Sequence, residues 1–113
     1  MSKTRKITKN KKAITIKRIN KPKLKLYSNP AMVQKYANRF LGKNVIIMPS
    51  TRHDKKYMVR TPEGKLVHFG QMGYEDWTRH QDVKRREAFR IRNKQWAKAD
   101  KWTAAYLAYY LLW

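Results

Sequence analysis

The stretch from Lys55 to Trp77, KKYMVRTPEGKLVHFGQMGYEDW, limits the fold more than any other part of the chain. Tyr57-Met58-Val59-Arg60 and Lys65-Leu66-Val67-His68-Phe69 have the β-branched and apolar content of strands. Between them, Thr61-Pro62-Glu63-Gly64 supplies a proline that presets φ and a glycine that closes a turn, so an antiparallel hairpin over 57–69 is expected. Behind it, Gly70 and Gly73 bracket Gln71 and Met72 and mark backbone that takes positive φ or approaches another segment closely. Val45 to Met48 is a short apolar run ended by Pro49, and a strand there turns the hairpin into a three-stranded sheet.

Helical signals flank the sheet. Asn29 is placed to cap a helix over 30–41, Pro30 stands at its first position, and Gly42 follows its end. Met32, Val33, Tyr36, Ala37, Phe40 and Leu41 form one apolar stripe, opposite Gln34, Lys35, Asn38 and Arg39, which reads as core packing. Thr78 and Gln81 have capping-box spacing and Asp82 is a second candidate cap, predicting a helix over about 80–95. Asp100 is placed to cap a last helix over 101–113 that is apolar around most of its circumference. The expected architecture is α+β: a small antiparallel sheet and three helices in a domain spanning 29–113, behind an extended or disordered basic arm over 1–28. A chain of 113 residues builds only a modest core. Part of the last helix is therefore a candidate protein interface through Trp102, Tyr106, Tyr109, Tyr110 and Trp113, the competing reading being that it packs on the hairpin and the first helix.

Charge bounds the function. The formal net charge is +21, a self-repelling excess that points to a polyanionic partner. It is concentrated at the front: Met1 to Lys56 holds 17 cations against one acid, Asp54, whereas Tyr57 to Trp113 holds 11 against six. Met1 to Lys12 is polar and basic, with too few apolar residues to order itself. From Ala13 to Tyr27, Ile14 and Ile16 alternate with Thr15 and Lys17, and Leu24 and Leu26 with Lys23 and Lys25, on either side of Pro22. This period of two describes either an extended arm laid on a partner or a solvated tail. The candidate polyanion contacts on the arm are Lys3, Arg5, Lys6, Lys9, Lys11, Lys12, Lys17, Arg18, Lys21, Lys23 and Lys25. A second set, Lys84, Arg85, Arg86, Arg90 and Arg92, lies further along the chain, where arginine's forked donors suit phosphate. The alternative is that these arginines pair with Glu75, Asp76, Asp82 and Glu87 inside the protein.

Other chemistries have little support. The chain has no cysteine, which excludes disulfides, thiolate zinc sites and a cysteine nucleophile. No apolar run approaches the ~20 residues of a spanning helix, and the basic N-terminus lacks the hydrophobic region of a secretory signal, so neither a membrane span nor secretion is expected. His53 and Asp54 are adjacent, and on extended chain such neighbours point to opposite faces. Glu75 and Asp76, with His68 and His80, are the one candidate for a metal-dependent nuclease, but their spacing matches no hydrolytic constellation. Helix capping or arginine pairing is the favoured role for these carboxylates, and no cofactor or metal is expected.

The run KKYMVRTPEGKLVHFGQMGYEDWTRHQDVKRREAFRIRN and the Leu-Leu-Trp ending resemble a family of small basic proteins encoded by large nucleocytoplasmic DNA viruses of algae and protists. The resemblance extends back through the Asn29-Pro30 helix and Leu41-Gly42-Lys43-Asn44, covering about three quarters of the chain. His68-Phe69-Gly70, Tyr74-Glu75-Asp76 and Arg85-Arg86 are its most specific parts. The chain departs from the family at Ala97-Lys98-Ala99-Asp100, where relatives have a glycine- and asparagine-rich connection, which bears on where the last helix starts. The family has no assigned activity, so the resemblance implies a viral setting alone. The leading expectation is a non-enzymatic virion protein, a minor capsid or internal component, whose arm meets acidic capsid protein or nucleic acid. It would be found in the particle, and in host cytoplasm or nucleus during assembly. A sequence-independent nucleic-acid condensing protein is the alternative, and a small nuclease ranks last.

Overall fold

A computed structural model of the protein describes residues 21–113. In chain order its elements are α1 (Leu24–Tyr27), α2 (Pro30–Phe40), β1 (Met48–Pro49), β2 (Lys55–Arg60), β3 (Leu66–Gln71), α3 (Trp77–His80) and α4 (Val83–Arg92). A 3-10 segment (Lys94–Lys98) and α5 (Ala104–Leu107) follow, and α5 continues as a wider π turn over Ala108–Leu112. The class is α+β, as expected, with one antiparallel sheet in the order β1-β2-β3.

The hairpin forms where its turn chemistry places it. Tyr57 pairs with Phe69, Met58 with His68 and Val59 with Val67. Gly64, at φ +90°, donates its N–H to the Thr61 carbonyl at 2.9 Å and closes the turn. Helix α2 also follows its signals, with the Asn29 side chain accepting from Met32 N–H and Pro30 at the first position. It stops at Phe40, one residue short of the expected end, with Leu41 as its C-cap.

Four expectations need correction, the first two because a distant partner outweighs local preference and the last two because a nearby cap sets a different helix start. The strand expected over 45–48 shrinks to Met48–Pro49, paired with Met58 and Tyr57. Ahead of it, the Gln34 amide donates to the Val45 carbonyl at 2.7 Å and accepts from Ile47 N–H at 2.8 Å. A side chain on α2 thus supplies the hydrogen bonds a ladder would have given. The extended reading of 23–26 gives way to α1, where Leu24 enters the core at 3% exposure while Leu26 stays 56% exposed. Residues 21–28 accordingly belong to the packed domain, and Lys21 donates to the Ser50 and Arg52 carbonyls at 3.1 and 2.8 Å. Lys3, Arg5, Lys6, Lys9, Lys11, Lys12, Lys17 and Arg18 lie outside the described residues.

The helix expected over about 80–95 is two helices. Gln81 takes φ +56° and ends α3, and Asp82 then caps α4 by accepting from Lys84 and Arg85 N–H at 3.0 and 3.2 Å. The last helix begins at Ala104 rather than Lys101, capped by Thr103, while the Asp100 carbonyl accepts from the Thr103 hydroxyl at 2.7 Å. The core joins Leu24, Val33 and Ala37 to Tyr57, Val59 and Phe69, closed by Leu107, Leu111 and Leu112. At Gly70, φ is +82° and a Cβ would stand 2.8 Å from Leu112 Cδ1, so the C-terminal segment sits directly on β3. Among the described residues, no helix is long and apolar enough to cross a membrane.

Candidate polyanion-binding surface and aromatic cleft

A chain of buried polar groups anchors the middle of the molecule. Lys56 Nζ and Asp76 Oδ2 are 3.0 Å apart, with side-chain exposures of 3% and 0%. Thr78 donates its hydroxyl to Asp76 Oδ1, Tyr57 donates to Ser28 Oγ at 2.6 Å, and Ser28 Oγ lies 3.2 Å from Thr78 Oγ1. Because Thr78 spends its one proton on Asp76, Ser28 must donate to Thr78, and the dipoles run from Tyr57 through Ser28 and Thr78 to the carboxylate. Asp76 N–H donates to the Tyr27 carbonyl at 3.0 Å, tying α1 to the start of α3. Burial lowers the proton affinity of Lys56 against the opposing pull of Asp76, and burial likewise raises the Tyr57 phenol.

This use of Asp76 separates it from the other members of the nuclease candidate. Glu75 faces outward to Arg85 at 3.4 Å, His68 Nδ1 lies 2.7 Å from Ser50 Oγ, and His80 Nδ1 accepts Asp82 N–H at 2.9 Å. Among the described residues, no group of three or more His, Asp or Glu side chains could hold a metal ion.

The second basic set is divided between the fold and the surface. Arg86 and Arg90 face inward: their Nε atoms donate to the Trp113 carbonyl at 2.5 and 3.1 Å. The Arg86 guanidinium lies 4.4 Å over the Trp77 ring and that of Arg90 4.7 Å over Tyr109, contacts that, with the stacking of Phe89 on Trp113, hold α4 where Val83 and Ile91 do not. Val83 and Ile91 on that helix are indeed 57% and 71% exposed. Lys84, Arg85 and Arg92 are exposed, as are Lys23 and Lys25. Among the described residues, Arg85 alone of this set pairs with an Asp or Glu side chain, so pairing with the nearby acids accounts for little of it.

The aromatic ending packs mostly on its own domain. Tyr109 is buried, Trp102, Tyr106, Tyr110 and Trp113 are half-buried, and Tyr110 meets Phe40 at a tilt with ring centroids 5.1 Å apart and donates to the Ala97 carbonyl at 3.0 Å. Of the two readings of this ending, packing on α2 and the hairpin describes most of its surface.

Sequence reasoning missed a cleft of about 680 Å³ bounded by the β2–β3 end, α4 and the last helix. Ala88, Ala104, Ala105 and Ala108 leave the space, and Phe89, Trp96, Leu112 and Trp113 give it an apolar lining. Phe89 and Trp113 stack face to face at 4.1 Å, and Trp96 meets Phe89 edge-on at 5.8 Å. Lys55, Arg85, Arg92, Glu75 and Tyr74 stand among its other lining residues. The signal was the four alanines set against aromatics at 89, 96 and 113, but those aromatics lie on three separate elements and no local periodicity joins them.

Residues 45–93 match the model of a family described as a family of unknown function (DUF5754). The match begins ahead of β1 and ends at Asn93, just past α4, so it takes in the sheet, the Lys56–Asp76 pair and the arginine helix. No curated protein and no solved structure matches the chain.

Proposed function

We propose that this is a non-enzymatic virion protein that binds a polyanion, the phosphate backbone of nucleic acid, without reading base sequence. The viral setting rests on the resemblance of its hairpin, arginine helix and ending to the giant-virus family. The binding activity rests on unneutralised surface charge. Of the 28 cations, 20 follow residue 20, against all seven acids of the chain, leaving +13 on the described domain. Only three ion pairs form among the described residues, one of them buried. Three of the seven acids are occupied elsewhere: Asp76 in the interior, Asp82 at a helix cap, Glu75 on Arg85. Exposed cations thus outnumber the carboxylates near them, and phosphate is the partner that relieves the repulsion.

The test is a titration of the full chain against unrelated duplexes of equal length over a range of salt. If about eight phosphates are contacted, affinity falls by roughly three to five orders of magnitude between ~50 and ~200 mM salt, alike for every sequence. A flat salt response, or a strong preference for one sequence, defeats the reading.

A further inference from the structure

The cleft beside α4 joins an aromatic floor to basic side chains. Its floor carries the stacked Phe89 and Trp113 rings, 4.1 Å apart, with Trp96 edge-on to Phe89 at 5.8 Å. Lys55, Arg85 and Arg92 line the same space. Its volume of about 680 Å³ is within the ~300–1,000 Å³ typical of small-molecule sites, ample for a base with its sugar. Tyr74, also lining it, is 69% exposed, an aromatic face held in water. A ligand suited to this cleft has a flat π face and negative charge beside it.

We propose that the cleft takes an unpaired nucleotide of a single strand, its base against the aromatic floor and its phosphates on Arg85, Arg92 and Lys55. This rests on the polyanion reading above and gives it a preference that charge alone would not. In a duplex the base faces are stacked on one another, whereas in a single strand they are accessible, and every base has a face to stack. The Glu75–Arg85 contact at 3.4 Å is solvent-exposed, with side-chain exposures of 40% and 49%, so an incoming phosphate meets little resistance in taking over the guanidinium.

The test compares the full chain with Tyr74→Ala and Ala104→Trp, binding an oligothymidylate of about 20 nucleotides and a mixed duplex of the same length. Tyr74 and Ala104 are both exposed, so loss of the first ring and blocking by the second leave the core intact, which an unchanged melting temperature verifies. The expected result is that both substitutions weaken oligothymidylate binding about tenfold or more while duplex binding and its salt slope stay the same. Oligothymidylate should also quench the tryptophan fluorescence of the unsubstituted chain. Retained single-strand affinity in both variants, or equal losses for strand and duplex, overturns the cleft assignment and leaves the charge reading standing. If the unsubstituted chain binds neither nucleic acid at low salt, both fall.

Discussion

Lys56 and Asp76 are each almost wholly shielded from water, so each charge depends on the other. Removing one partner strands the other, at a cost of about 3–5 kcal/mol, whereas removing both charges together costs much less. Urea unfolding should therefore show large losses for Lys56→Met and for Asp76→Asn, and a Lys56→Met, Asp76→Asn double variant more stable than the sum of the two predicts. Additive losses would mean that the two charges act independently. The histidines give a separate pH signature. Burial, then the Arg52 charge for His68 and the Arg85 charge for His80, lowers both below the ordinary value of 6.5. The unfolded chain binds those protons near 6.5 and the folded chain only at lower pH, so stability present above 6.5 is lost as pH falls through that window. At His80 the geometry agrees, because Nδ1 already accepts the Asp82 N–H and cannot keep that bond once protonated. The melting temperature should fall between pH 7 and pH 5, and His80→Gln should flatten the fall.

At the level of elements, what could be read in advance was what the chain settles locally. The hairpin turn and the N-cap of α2 each depend on residues within four positions, and both formed as their chemistry required. The short β1 and the α1 turn depend on Gln34 and on the core around Leu24, which no window of sequence contains. The same distinction separates two glycines of one turn region. Gly70 and Gly73 both have positive φ, +82° and +92°, but only Gly70 has neighbours within contact of a Cβ. Gly73→Ala should cost about 1–2 kcal/mol for backbone strain alone. Gly70→Ala adds collision with Leu112 and the Lys56 stem, for roughly 2–5 kcal/mol in all, measurable as a lower urea midpoint. Helix α4 offers a matching contrast between its arginines. Arg86→Ala should lower the melting temperature by removing the Trp113 carbonyl contact and the packing over Trp77, and leave the salt slope of nucleic-acid binding nearly unchanged. Lys84→Ala and Arg92→Ala should do the reverse. Sequence placed all of these cations in one binding set, because a weak apolar stripe hides which arginines the helix itself needs.

For the whole molecule, the count of charges was legible from composition, but the cleft was not, since Tyr74, Phe89, Trp96, Ala104 and Trp113 converge only when four segments fold together. The domain also folds against its own charge: +13 on the described residues is a repulsion that the core must overcome. Two agents relieve it by different routes. Salt screens the cations in any arrangement, within a distance of about 10 Å at 0.1 M. A bound polyanion instead stabilises only the state that binds it, by about 2.7 kcal/mol when present at 100 times its dissociation constant. Melting curves over salt, with and without a short duplex, separate these contributions. Without nucleic acid the melting temperature should climb steadily with salt. With it, the protein should be most stabilised at the lowest salt, and the two curves should converge where binding has been lost. If the curves coincide from the lowest salt upward, the surplus charge serves something other than a nucleic-acid backbone.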